Sequence, residues 1–350
     1  MDFNLTHFDL KDVNKWHEIL SVFEPDNDIY FYPEYFAAYE ANGDGRAVCT
    51  YVRRGDAHLL VPYLVCTIPS QPDRYDIQGA YGYGGPLAKN VDKEFLEKAW
   101  QAIEKSWQEQ NVVAAFLRLH PVLNNSLYLD PRWFVEANRE TVSVDLRLGV
   151  QEAFAGPKAA NHRNMVARAV RLGFVATQQL IIKESIKRFV DLYTENMRAL
   201  NVDKYYYFSE DYFATLVDKV GANFSLYEVN KSDSGETLCM ALILWGTRLA
   251  HYHLSARAFH SANCAMNLLL QTVAQDATAR GLQILHLGGG RTLNPDDSLM
   301  RFKQNIGQTK HTFCTARQII HHEDYNNLVK RWQKEHSDKV PGLFLAYRQI

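Results

Sequence analysis

The stretch 283-QILHLGGGRTLNPDDSLMRFKQNIG-307 decides how this sequence folds. A short apolar strand, 283–287, runs straight into Gly288, Gly289 and Gly290, and a short helix capped by Asp297 or Ser298 then carries Arg301, Phe302 and Lys303. A strand, a glycine turn and a helix in that order are an α/β signature. Three glycines allow positive φ and close backbone approach, leaving amides for an oxyanion or phosphate; a sharp turn dictated by sterics would need the same residues. The spacings GxxxxGK[ST] and GxGxxG are both absent, so neither a Walker loop nor a dinucleotide fingerprint is present. Arg301 and Lys303 beside the turn suit a diphosphate, although a solvated helix face would look the same.

Outward from this stretch, residues 262–280 form a helix stopped by Gly281. Before it lie three strands, 223–230, 236–245 and 248–256, joined by 231-KSDSG-235 and Gly246-Thr247. Helices at 157–173, around Ile186 to Met197, and from Ser209 to Gly221 precede them. The first half repeats this order. It has a helix over 10–22 behind Asp9, a helix from Pro33 to Gly43, a hairpin 46–54/57–68 turned by Gly55-Asp56, a long helix over 91–110 and a buried strand 112–121. A strand at 141–146 ends this half. The shared order implies duplication of one α/β unit. Residues 1–150 are expected to form one domain and 151–320 a second, with 321–350 adding a helix (323–336) and a strand (343–350) that fold back on the first.

The composition is that of an ordinary folded chain: 350 residues, 47% hydrophobic and 22% charged, with a formal charge of −2. No global positive field exists to drive DNA binding. The five cysteines are widely spaced with no CxxC pair, and no basic, apolar leader opens the chain, so a cytoplasmic protein is expected. No apolar run reaches membrane-spanning length, which leaves peripheral membrane contact open.

Four further features are candidates for chemistry. Period two on 248–256 places His251, His253 and Ser255 on one face and Tyr252 and Leu254 on the other, offering either a general base or structural histidines. Gly79, Gly82, Gly84 and Gly85 interleave with Tyr81 and Tyr83, which fits a ligand loop or a packed turn. Arg118 and His120 sit at a strand end. Between Glu152 and Glu184 lie Lys158, Arg163, Arg168, Arg171 and Lys183 without one acid, a face that suits tRNA, phospholipid headgroups or a nucleotide diphosphate, or simply solvent. The pair 321-HH-322 lacks partners at metal-ligand spacing, so no metal is expected.

Taken in order, 81-YGYGGP-86, 116-FLRLHP-121, 141-TVSVDL-146, 163-RNMVARAVRLGF-174, 251-HYHLSA-256, 286-HLGGG-290 and 302-FK-303 resemble the Fem-type tandem-GNAT acyl and aminoacyl transferases. The resemblance implies two tandem GNAT-like domains of mixed α/β class, each a mixed central sheet flanked by helices, with the active cleft in the second. It also implies that Lys303, beside Phe302, contacts an acceptor's phosphates and that Tyr83 borders the acceptor cleft. The coiled-coil arm of some Fem proteins has no counterpart here. GNAT enzymes hold an acyl-CoA pyrophosphate on a glycine-rich turn, but the equivalent 257-RAFHSAN-263 has no glycine, so Arg257, Ser261 and Asn263 would have to substitute.

The expectation is therefore transfer of an acyl or aminoacyl group, with acyl-CoA or aminoacyl-tRNA as co-substrate, to an amine of a phosphate-bearing cell-envelope precursor of the peptidoglycan-bridge type. Its assigned groups are His251 and His253 for proton transfer, Gly288, Gly289 and Gly290 for backbone approach, and Lys303, Phe302, Arg301, Arg118 and Tyr83 for the acceptor. The alternative is a non-catalytic, degenerate GNAT module that binds a nucleotide-sugar or a protein.

Overall fold

The computed structural model describes residues 3–69, 71–200, 207–259, 261–294, 296–337 and 342–349. In chain order the first elements are β1 (Phe3–Phe8), α1 (Val13–Ser21), α2 (Pro33–Ala41), β2 (Arg46–Arg54), β3 (Ala57–Ile68), β4 (Gln71–Gln78), β5 (Leu87–Lys89), α3 (Lys93–Glu109), β6 (Val112–Arg118) and β7 (Phe134–Asp145). Then come α4 (Val150–Ala153), α5 (Ala160–Arg171), β8 (Phe174–Gln179), α6 (Lys183–Ala199), α7 (Glu210–Val220), β9 (Phe224–Lys231), β10 (Thr237–Trp245) and β11 (Leu249–Arg257). The last are α8 (Cys264–Ala279), β12 (Ile284–Gly289), α9 (Ser298–Gln304), β13 (Thr309–Ile319) and α10 (His322–Glu335).

Local sequence explains many of these. Gly55, at φ +65°, turns β2 into β3 so that Arg54 faces Ala57. Pro33 opens α2 at its first turn, where a missing N–H costs nothing. Asp92 caps α3 by accepting from the Phe95 amide at 2.6 Å, and Phe95, Ala99, Trp100, Ile103 and Trp107 bury the same side of that helix. Ser209 caps α7 through the Tyr212 amide. Asp9 does not cap α1; it closes a turn by accepting from the Lys11 amide, and the helix starts after Asp12.

Two compact units result, residues 1–138 with 312–350, and residues 139–311. The division falls inside β7 and inside β13, N-terminal of position 150 where the sequence suggests it. In unit 1 the strands lie in the order β1-β2-β3-β4-β6-β13, with β5 on β3; β4 and β6 are parallel. In unit 2 the order is β8-β9-β10-β11-β12-β7, with β11 and β12 parallel. Apart from β5, which has no counterpart between β11 and α8, the run β1-α1-α2-β2-β3-β4-α3-β6 matches β8-α6-α7-β9-β10-β11-α8-β12. Each sheet then takes its sixth strand from elsewhere in the chain: β7 follows β6 but pairs with β12, and β13 follows β12 but pairs with β6.

Unit 1 packs around Trp100, Trp107, Trp133 and Phe95, and unit 2 around Leu269, Leu270, Val273, Ile243 and Leu285. The terminal segment 343-LFLAYRQI-350 forms no strand among its described residues. It makes one helical turn at Ala346–Arg348, because the Tyr347 hydroxyl (2.6 Å) and the Arg348 guanidinium are both drawn onto the buried Asp76 carboxylate. All five cysteines are free thiols. Among the described residues no helix is long and apolar enough to cross a membrane.

Candidate functional site

In unit 2 the parallel ladder between β11 and β12 has only three rungs, Leu249↔Ile284, Ala250↔Leu285 and His251↔His286. Two bulges explain why it ends. The β10–β11 register passes from Leu254 to Tyr252 and skips His253, while the β12–β7 register passes from His286 to Gly288 and skips Leu287. Each extra residue bends its strand away from the ladder. Past His251 and His286 the two backbones therefore no longer pair with each other.

Lys303 spans that opening. Reaching from α9, its Nζ donates to the Gly289 carbonyl on β12 at 2.7 Å and lies 5.7 Å from the ring centre of Tyr252 on β11. The residue is 7% exposed. Burial disfavours the ammonium and pushes its pKa down to about 7; Asp297 pulls against this, and Arg139 adds to it. An ammonium has three donors, so two remain beyond the Gly289 bond.

The glycine turn is built differently from the sequence expectation. Gly288 adopts φ +74°, as a turn requires. A Cβ on Gly289 would lie 2.8 Å from the Glu140 carbonyl oxygen, and one on Gly290 would lie 2.8 Å from Asp297. These two glycines are thus demanded by close packing. The amides after the turn are not left for a substrate anion, because Asp297 accepts from the Arg291 amide (3.0 Å), the Thr292 amide (2.9 Å) and the Met300 amide (2.8 Å). Burial alone would raise the Asp297 pKa, yet these bonds and the Thr292 hydroxyl hold it below its ordinary value. Asp297 is at once the α9 cap and the anion of this loop.

A row of histidines lies beside the apex of the opening. The rings of His251 and His286 meet edge to face at 5.4 Å, and those of His286 and His311 at 6.2 Å. His286 Nε2 bonds the Thr141 hydroxyl at 3.0 Å, and His311 Nε2 bonds the Ser143 hydroxyl at 2.8 Å. The bulge at His253 breaks the period-two expectation: Tyr252 and Ser255 share a hydrogen bond, so they do not face opposite ways. Burial, with the nearby His251, pushes the His253 pKa down to about 3. It is neutral at physiological pH and a weak base.

The other expected site residues divide between structural and surface roles. Arg301 is exposed and faces Asp296 at 3.6 Å, so it does not join Lys303 in a two-cation clamp. Two residues apart on a helix, the side chains point to different faces. Phe302 packs against the unit 2 core. Arg257 bonds the Asn263 side chain, which is therefore not capping α8, and the Ser261 hydroxyl is buried with no hydrogen-bond partner among the described residues. Arg163 donates to the carbonyls of Phe154, Ala155 and Gly156, bracing the α4–α5 loop instead of facing a ligand. Tyr83 and Arg118 belong to unit 1. Tyr83 stacks edge-on with Tyr30 (5.3 Å) and Phe313 (5.4 Å), and Arg118 donates to the Gly79 carbonyl at 3.1 Å.

Sequence reasoning missed His286, His311, Tyr252 and the amide-gathering role of Asp297. Only His286 carried a local signal, as the polar residue inside an apolar strand.

The duplicated order of elements, with one parallel strand pair in each unit, has counterparts among solved structures at the level of the whole fold. FemX superposes with a TM-score of 0.69 over 93% of this chain and 99% of its own, at 13% identity. L-PGS from Bacillus licheniformis superposes with a TM-score of 0.54 over 85% of this chain and 90% of its own, at 16% identity. The chain has a Fem-like, GNAT-type fold. No family model matches the sequence. No curated protein sequence matches it. At these identities the likeness is one of fold, and the chemistry rests on the residues of this Fem-like chain itself.

Proposed function

We infer that unit 2 transfers an acyl or aminoacyl group, from acyl-CoA or aminoacyl-tRNA, to an amine of a phosphate-bearing envelope precursor. The observation that carries this reading is Lys303, a buried lysine poised near neutral charge across two diverging strands, with donors to spare. Transfer begins with attack of the neutral acceptor amine on the ester or thioester carbonyl. The new C–N bond places a negative charge on the carbonyl oxygen. Collapse breaks the C–O or C–S bond, and the proton lost by nitrogen leaves with the alcohol or thiol.

Lys303 is assigned to an anionic oxygen of the acceptor's phosphate. An arriving phosphate favours the ammonium, so binding takes up a proton near neutral pH. His251, at the last rung of the ladder, is the candidate to relay the amine's proton, since His253 is too weak a base. In the loop from Arg291 to Met300, Asp297 holds the Arg291, Thr292 and Met300 amides, so these three do not serve as oxyanion donors, and this observation favours the alternative reading of a degenerate binding module.

Intact mass spectrometry of UDP-linked peptidoglycan precursors, after incubation with the protein and pooled acyl-CoA or aminoacyl-tRNA donors, tests the proposal. A new acceptor mass that Lys303→Ala slows mainly through a higher KM supports it. If folded protein yields no adduct but its melting point rises with a nucleotide-sugar, the binding reading replaces it.

A further inference from the structure

The basic run between Glu152 and Glu184 plays no part in the site above. Residues 158–188 hold seven cations (Lys158, Arg163, Arg168, Arg171, Lys183, Lys187 and Arg188) against one acid, Glu184. This local charge of +6 stands in a chain whose total is −2. Three of the cations have internal partners: Arg163 braces its loop, Lys187 pairs with Asp191 at 2.9 Å, and Arg188 pairs with Glu228 at 2.8 Å. Lys158, Arg168, Arg171 and Lys183 are exposed and make no ion pair among the described residues.

The same segment exposes large aliphatic side chains. Around the α5–β8 turn, Val170 is 60%, Leu172 44% and Val175 48% exposed. After β8, Leu180 is 81% and Ile182 50% exposed, with Ile181 between them also exposed. Within unit 2, β8 is the outermost strand and, among the described residues, pairs with β9 alone. Both ends of this outer strand thus carry bare aliphatic groups next to unpaired cations.

We propose that the α5–β8–α6 edge of unit 2 docks on the surface of an anionic phospholipid bilayer. Cations answer the headgroup charge, and aliphatic side chains enter the boundary between headgroups and acyl chains. RNA would account for the arginines but not for the rest: single-stranded bases are held by aromatic stacking, and every large hydrophobic exposed between 170 and 182 is aliphatic. The proposal is independent of the transfer reading, since it predicts location and not chemistry.

The test is co-sedimentation of the full chain with vesicles of phosphatidylcholine mixed with phosphatidylglycerol, against phosphatidylcholine alone, at low and high salt. Binding to the anionic vesicles only, weakened by salt, is expected. Arg168→Gln with Arg171→Gln should weaken it roughly thirtyfold. Val170→Ser with Leu180→Ser should lower the fraction that resists salt. All four positions are exposed, so unchanged melting curves show that the variants fold. A chain that stays in the supernatant with anionic vesicles overturns the proposal, as does a double-arginine variant that binds like the parent. Binding of bulk tRNA through these arginines, without vesicle binding, overturns it in favour of an RNA face.

Discussion

Lys303→Met should yield a more stable protein in which the proposed transfer is slowed mainly through a higher acceptor KM. Methionine keeps the length and apolar stem of lysine while removing a charge that the fold buries at a cost. That cost follows from the lysine's fall in pKa, from an ordinary 10.5 to about 7. At about 1.4 kcal/mol per pH unit, the ceiling is roughly 5 kcal/mol. The variant gives up the bond to Gly289 and leaves that carbonyl unmatched, a loss of about 1–3 kcal/mol. The net gain at pH 6 to 7 is then about 2–4 kcal/mol. The sign of the pH dependence is fixed by linkage. Between about 7 and 10.5 the unfolded chain binds a proton at this site that the folded chain does not, so wild-type stability rises with pH across that window. Below about 7 both states are protonated and the penalty is constant. Urea unfolding of wild type and variant from pH 6 to pH 10 isolates the lysine, because other groups cancel in the difference. The advantage of Lys303→Met should be largest at low pH and shrink toward high pH. A difference that does not change with pH would mean that the lysine titrates as it does in water, and the reasoning would fail.

Other consequences can be measured alongside. Asp297→Ala removes a helix cap and two further amide bonds, and should cost about 2–4 kcal/mol in urea unfolding while pushing the Lys303 pKa lower still. Gly289→Ala forces a Cβ to within 2.8 Å of the Glu140 carbonyl and should cost about 1–3 kcal/mol, read as a lower Tm. Buried His162 bonds Asn267 and Gln271, and burial pushes its pKa down to about 4, so it contributes stability that is complete above pH 6.5 and lost as pH falls toward 4. His162→Gln should flatten acid unfolding over that interval. Arg348→Ala strands the buried Asp76 carboxylate and should cost about 3–5 kcal/mol, whereas Asp76→Asn together with Arg348→Ala should recover part of that loss.

Much of the architecture is legible from local signals. The Gly55-Asp56 hairpin, Pro33 at the head of α2, Ser209 at the head of α7 and the glycine stops each name their own element, because a turn or cap depends on one or two residues. The missed strands β1, β4, β5, β8 and β13 have no such signal. In β4, QPDRYDIQ has a proline at its second position and carries two acids, and it is a strand because β3 and β6 pair with it on either side. The error at 343–350 has the reverse cause. Leu343, Phe344 and Leu345 look like a strand, but Tyr347 and Arg348 are held by Asp76, some 270 positions away in sequence. At the site, the glycines and Lys303 stand out in the sequence, the latter through its family resemblance. The burial of Lys303, the bulge at His253 and the capture of the loop amides by Asp297 do not, since each depends on which strand lies opposite. The bulge matters most, because one extra residue reassigns every side chain after it to the other face.

The origin of the sixth strands has a consequence for synthesis. Unit 2 takes both β7 and the start of β13 from one continuous segment, 139–311, whereas unit 1 is interrupted by that whole segment. While the chain is being made, β6 presents a bare edge until residues 315–319 emerge to cover it. An unpaired edge of this kind invites other strands. The first unit to begin is thus the last to finish, and a gene cut between the halves would deliver an N-terminal fragment with its sheet still open.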